Sequence, residues 1–152
     1  MELPELNLPK YEHQIKNKEG KLFIYDISRK KMVVLTPEEW VRQHFVMFMI
    51  NELKYPKSLI KIESGIGYNQ LQKRSDIKVY DRNGDPFAIV ECKASKIAIT
   101  KETFDQVATY NKTFQAPYVM VTNGMEHFCS EINFEENTSK FMKGFPVYEK
   151  TS

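Results

Sequence analysis

The stretch SDIKVYDRNGDPFAIVECK, residues 75–93, decides the fold. Two β-rich runs, Ser75 to Tyr80 and Pro86 to Lys93, flank Asn83-Gly84, a dipeptide favoured in two-residue type I′ hairpin turns because both central residues take positive φ. Such a turn sets Arg82 opposite Asp85, Tyr80 opposite Phe87 and Asp76 opposite Glu91. Carboxylates facing one another repel and weaken a sheet, so the last pair needs a compensating partner. A divalent cation is one: Mg²⁺ takes oxygen ligands, often only one or two carboxylates plus phosphate oxygens. Lys93 lies two residues beyond Glu91 and so shares its strand face, where an ammonium can orient water or stabilise charge on a phosphate. Acid-plus-lysine pairs also decorate ordinary hairpins. Glu91, however, follows the apolar run 87–90 (FAIV), and a charge ending such a run needs a reason. The chemistry this arrangement suits is metal-assisted hydrolysis of a phosphodiester.

Outward from the hairpin, residues 36–39 (TPEE) read as a helix start, with Thr36 as N-cap, Pro37 at the first helical position and Glu39 placed to close a capping box. The helix is expected to reach about Lys54, with Val41, Phe45, Phe48, Met49 and Leu53 forming its core-facing stripe. A strand over Leu59–Glu63 is expected next, interrupted by Gly65 and Gly67. After the hairpin, a second helix is expected from about Lys101 to Phe114 with Thr100 as cap, then a buried strand over Tyr118–Thr122 closed by Asn123-Gly124. Lys21–Tyr25 and Lys31–Leu35 suggest a small leading hairpin. Residues 1–20 read as an arm ordered only by packing, and residues 126–148 as a further strand with loosely defined peripheral structure. Helix, three strands, helix, strand makes a mixed α/β domain, in which the last strand returns by a crossover. The boundaries expected are an arm at 1–20 and one domain at 21–152.

The 152 residues fit a single domain, and 41% hydrophobic content supplies a core. No run approaches the roughly 18 apolar residues of a membrane span, and the polar opening lacks a secretory apolar segment, so a cytoplasmic protein without membrane contact is expected. Cys92 and Cys129 have no zinc or redox spacing and read as buried hydrophobes. His13, His44 and His127 show no ligand spacing. Asp81, Asn83 and Asp85 faintly suggest a calcium loop, but Gly84 is misplaced for one and the closing Glu is missing. Net charge is only +2, so whole-chain charge announces no nucleic-acid partner. Basic residues do cluster, at Arg29-Lys30-Lys31, at Lys73, Arg74 and Lys78, and at Lys93, Lys96 and Lys101.

Asp76, a gap of fourteen residues and then Glu91-Cys92-Lys93 resembles the Asp…Glu-x-Lys signature of PD-(D/E)xK nucleases. More specifically, the chain resembles the N-terminal nuclease domain of type I restriction enzyme R subunits. The likeness covers roughly residues 30–132 and includes 35–43 (LTPEEWVRQ), 73–77 (KRSDI), 90–94 (VECKA), 104–110 (FDQVATY) and 116–124 (APYVMVTNG). It implies a restriction-endonuclease-like core of order α-β-β-β-α-β. It also implies Asp76, Glu91 and the Cys92 carbonyl as ligands of Mg²⁺, with Mn²⁺ as substitute, and Lys93 as the catalytic lysine. An acid on the first helix is a further participant in such enzymes; Glu38 and Glu39 both match, and Glu38 is favoured. Gln106 and Tyr110 match a Gln-x-x-x-Tyr element and, four residues apart, share one helix face. Lys73, Arg74 and Lys96 join Tyr110 as DNA-backbone contacts. Ser75 replaces the Pro of the signature, and no Gly-x-x-x-x-Gly-Lys-Ser/Thr phosphate loop occurs. An ATP-driven motor is therefore not expected in this polypeptide.

The expected function is a Mg²⁺-dependent endodeoxyribonuclease. The alternatives are a catalytically inactive nucleic-acid-binding module and a docking subunit for separately encoded motor or methylation subunits. Cutting both strands of a duplex would call for two active sites, hence a homodimer. Whether the substrate is duplex, single-stranded, branched or modified DNA, or RNA, is left open by the sequence.

Overall fold

In a computed structural model, residues 3–62 and 77–148 are described. Asp76, Lys73 and Arg74 lie outside the described residues. Three strands open the chain, β1 (Ile15–Lys18), β2 (Lys21–Asp26) and β3 (Lys31–Val34), paired antiparallel in that order. The expected leading hairpin is thus present, and part of the lead-in adds a strand to it.

Helix α1 (Pro37–Asn51) begins as the sequence dictates: the Thr36 hydroxyl accepts the Glu39 N–H at 3.0 Å, and Pro37 occupies the first turn. The capping box is only half made. The Glu39 carboxylate turns instead to Arg29, Arg42 and Gln43, because two guanidiniums solvate a buried carboxylate better than one backbone N–H does. The helix stops at Asn51, short of Lys54; Leu53 still reaches the core from the turn that follows.

A six-stranded sheet follows, in the order β4 (Ile60–Ile62), β5 (Ile77–Tyr80), β6 (Pro86–Cys92), β7 (Tyr118–Thr122), β8 (His127–Asn133) and β9 (Thr138–Met142). Helix α2 (Lys101–Phe114), capped by the Thr100 hydroxyl, connects β6 to β7, the one parallel pair among the described strands. The domain is α/β, with a mixed sheet and two helices. Where loosely defined structure was expected near the C-terminus, β8 and β9 form a regular hairpin on the sheet edge.

The turn at Asn83-Gly84 departs from expectation. Gly84 N–H donates to the Asp81 carbonyl at 3.0 Å, and Gly84 alone in this turn has positive φ, at 84°. The Asp81 carboxylate collects the N–H groups of Asn83 and Asp85, each at 2.9 Å, a local side-chain turn that competes with the two-residue form. These contacts also account for the faint calcium-loop pattern. The register shifts between Val79 and Tyr80, so Tyr80 pairs with Pro86 rather than Phe87. Beyond the bulge the expected register is restored, with Val79 opposite Ala88 and Ile77 opposite Val90.

Strand alternation sorts β6 and β7 into two cores. Ala88, Val90, Cys92 and Met120 join Val41, Phe45 and Met49 of α1 on one face. Ile89, Val119 and Val121 join Val107 of α2 on the other. The bulge sends Phe87 to the α1 side, where it stacks edge-on near Tyr55 and Tyr148. The lead-in closes that side: Leu6 is buried, the Trp40 indole N–H donates to the Pro4 carbonyl at 2.8 Å, and the Asn7 N–H donates to the Gly124 carbonyl at 2.8 Å.

Candidate functional site

Glu91 and Lys93 occupy the C-terminal end of β6 and the residue just past it. The Lys93 N–H donates to the Thr122 carbonyl at 2.8 Å, carrying the parallel ladder with β7 one step beyond Cys92. By alternation Glu91 shares the face of Ile89, toward α2. Lys93 Nζ stands 3.3 Å from Glu91 Oε2, and the two side chains are only 23% and 14% exposed. A carboxylate and an ammonium are thus held together where most of their hydration has been removed. Such a pair depends on good geometry and further polar partners to offset desolvation.

Helix α2 crosses this face. Gln106 is half-buried, one turn before Tyr110. Tyr110 and Phe114 bracket Lys78, whose Nζ lies 5.1 Å from one ring centroid and 5.0 Å from the other. Lys78 pairs with Ile89 in the sheet and so shares the face of Glu91. In the sequence Lys78 is only one member of a basic cluster. The signal for its role was the i, i+4 spacing of Tyr110 and Phe114, which aligns two rings along one helix edge. Lys96 is exposed in the turn after Lys93, and the Asn123 side-chain amide holds that loop through the Ile97 carbonyl at 2.8 Å. Cys92 is fully buried on the α1 side and Cys129 is 1% exposed. Burial, and secondarily Glu131, pushes the Cys129 thiol up to about 12, so both cysteines behave as the small hydrophobes expected.

The two candidate acids on α1 differ sharply. Glu38 has a side chain 44% exposed and pairs with Arg42 at 3.2 Å. Glu39 is the buried one: Arg29 reaches both its oxygens at 3.1 and 3.2 Å, Arg42 binds it, and Gln43 donates at 2.7 Å. Arg29 in turn closes on the fully buried Asp26, which also accepts the Ser28 and Arg29 N–H groups. This network ties the leading hairpin to α1. It takes Arg29 out of the basic surface cluster in which the sequence places it, a correction that follows from the otherwise uncompensated charges of Asp26 and Glu39. Both acids ride on a helix whose core residues pack against the sheet face opposite Glu91.

The histidines are structural. His44 Nδ1 donates to the Trp40 carbonyl at 3.0 Å. His127 Nε2 donates to the Asn7 carbonyl at 2.8 Å, and its Nδ1 meets the Thr122 hydroxyl at 2.7 Å. Among the described residues no group of three or more His, Cys, Asp and Glu side chains is placed to hold a metal ion. A cation site at Glu91 would therefore need a further acid from outside the described residues. The chemistry of the donors suits a hard cation: carboxylate oxygen from Glu91 and carbonyl oxygen from Cys92. No described helix is long and apolar enough to cross a membrane.

A search of the curated proteins finds no match. Among solved structures, the chain is similar to a fragment assigned as an HsdR subunit of a type I restriction enzyme from Vibrio vulnificus YJ016. The identity is 21%, the TM-score 0.38, and the match covers 58% of this chain and 16% of that one. The profile of the family described as type I restriction enzyme R protein N terminus (HSDR_N) matches residues 37–146, a span from the first residue of α1 past the end of β9 that takes in Glu91, Lys93, Gln106 and Tyr110, and the chain belongs to that family.

Proposed function

We propose that this chain is a metal-dependent nuclease that hydrolyses DNA phosphodiester bonds, with Asp76, Glu91 and Lys93 at its centre. The observation that carries the reading is the Glu91–Lys93 pair, 3.3 Å apart and largely shielded, at the end of an otherwise apolar strand. Membership of a restriction-subunit family supports it, and the element order α1, β4, β5, β6, α2, β7 is compatible with the core that the sequence resemblance implies.

In this reading Asp76, Glu91 and the Cys92 carbonyl hold the cation. Mg²⁺ bound there, or Mn²⁺ in its place, would polarise the phosphate and lower the pKa of the attacking water. Lys93, with three N–H donors, neutralises charge that develops on the phosphoryl oxygens. The low exposure of the site strengthens that interaction, because water no longer competes for the ammonium. Gln106 reaches the edge of the site from α2, one turn from Tyr110, while the Lys78 clamp fixes the helix against β5. Lys73, Arg74 and Lys96 meet the strand through phosphates, which predicts steep salt dependence and little base readout. Glu38 is the acid of α1 with exposure enough to approach substrate. Separately encoded motor or methylation subunits are the partners the family suggests, and a homodimer would allow both strands of a duplex to be cut.

The test is cleavage of plasmid and single-stranded DNA with Mg²⁺, Mn²⁺ or EDTA, beside Lys93→Ala. Metal-dependent cutting that falls at least about 100-fold in the variant is expected, the scale of losing one charge-stabilising donor. Cutting unchanged by Lys93→Ala would refute the assigned site. No cutting with any metal, with DNA binding retained, would make the chain a binding module.

A further inference from the structure

Beside α2, its first two turns and the β8–β9 hairpin enclose a groove of about 530 Å³. Ile99, Phe104, Phe128, Ile132 and Phe141 line it, with Lys101 and Lys140 at its rim. The Phe104 ring stands edge-on to Phe128, centroids 5.9 Å apart, and edge-on to Phe141 at 5.2 Å. Phe141 is nevertheless 68% exposed and Phe128 37%. Several rings left in solvent at one place mark an interaction site rather than scatter.

The position of the groove indicates its occupant. Glu91 pairs with Val121, and Val121 pairs with Phe128, so the three share one cross-strand row and one face of the sheet. Phe128 is therefore two strand spacings, roughly 10 Å, from the backbone of Glu91. Among the described residues, Lys101 and Lys140 pair with surface acids, Asp105 at 3.2 Å and Glu131 at 3.7 Å. Exposed pairs of this kind contribute little, so a phosphate can replace either acid at small cost. Aromatic rings with flanking cations, two to three strand spacings from the proposed phosphodiester site, match one ligand chemistry: a base with a π face between two phosphates. We propose that this groove receives an unpaired nucleobase of the strand whose phosphate lies at Glu91 and Lys93. The assignment rests on the nuclease reading and sharpens it: the substrate has an unpaired base beside the cut, as in single-stranded, frayed or branched DNA.

Fluorescence anisotropy with a labelled dT12 strand and a 12-mer of abasic deoxyribose phosphates tests this, with Ca²⁺ replacing Mg²⁺ to keep the strands intact. Phe141→Ala is the variant, chosen because its exposed ring leaves the fold unburdened, as circular dichroism would check. The expected result is about tenfold weaker binding of dT12, within the range of one lost stacking contact, and unchanged binding of the abasic strand. Equal dT12 affinity in both proteins, or wild-type binding no better to dT12 than to the abasic strand, overturns the assignment. So does a dimer that Phe141→Ala dissolves while dT12 binding stays intact, which would give the groove to a second copy of the chain. Plasmid cutting with Phe141-independent dT12 binding removes the groove alone. Phe141-dependent binding without any cutting removes the nuclease reading and leaves the base site. Absence of all DNA binding removes both.

Discussion

On β6, consecutive residues serve two unlike faces. Ala88, Val90 and Cys92 enter a sealed core with α1, in which Val41, Phe45, Val46 and Met49 are fully buried. Ile89 enters a smaller core with α2, and the next two positions on that face are Glu91 and Lys93. The α1 side pairs its buried charges internally, through the Asp26, Arg29, Glu39 and Arg42 network. The α2 side leaves charge at the rim of its core. One face is a sealed core, and the other carries an ion pair at its edge.

Substitutions on the two faces should therefore separate activity from stability. Glu91→Gln, which leaves an amide oxygen for Lys93, is expected to lower metal-dependent cleavage by about 100- to 1,000-fold, in the range for loss of a group that stabilises transition-state charge, with a smaller fall in melting temperature than a core truncation causes. A large drop in melting temperature would instead make the Glu91–Lys93 pair a structural element. Phe45→Ala, on the other face, should cost about 3–5 kcal/mol through lost contacts and a cavity. That corresponds to a fall on the order of 10 °C for a chain of this size, with cleavage retained below the transition. Thermal melts and plasmid assays on the same two proteins decide both.

The two glutamates of α1 sharpen the comparison. Glu39→Ala strands Arg29 and Arg42 beside a missing partner and should cost about 3 kcal/mol, the usual scale for breaking a buried pair. Glu38→Ala removes an exposed member of an ion pair and should cost under about 1 kcal/mol. If Glu38 approaches substrate, its variant loses cleavage without losing melting temperature. Equal stability losses in the two would show that the network does not distinguish them.

Much of this division could be read from the chain. Thr36-Pro37 announced α1, Thr100 announced α2, and the stripe of Val41, Phe45 and Met49 identified a buried helix face, because caps and periodicity are local. The β5–β6 register was also legible in its body, from Ile77 opposite Val90 to Val79 opposite Ala88. The turn was not, since Asp81 supplied side-chain acceptors that favoured a bulged form over the one preferred by Asn-Gly. Nor was the preference of Glu39 for Arg29, ten residues earlier, which depends on how the leading hairpin docks. The β8–β9 hairpin lacked strong alternation because β9 is an exposed edge strand. At the candidate site, Glu91, Lys93, Gln106 and Tyr110 fall on the α2 face or on α2 itself, while Asp76 lies outside the described residues.

The smallest effect concerns how the lead-in closes the α1 side. His13 packs against Trp40 and His44, with ring centroids 5.4 and 4.4 Å away. Its imidazole pKa is lowered to about 4, first by burial and then by the neighbouring His44, which burial also lowers. An unfolded imidazole takes its proton near 6.5. Between pH 6.5 and 4 the unfolded chain therefore binds more protons than the folded one, and stability must fall as pH drops through that window. Because His13 is only half-buried, solvent screening limits the effect to a few degrees of melting temperature. His13→Phe keeps a ring against Trp40 and removes the titration, so its melting temperature should fall less than the wild type's between pH 7 and pH 5. An equal fall in both proteins would assign the pH sensitivity to other groups, with His44 in the same cluster the next to replace.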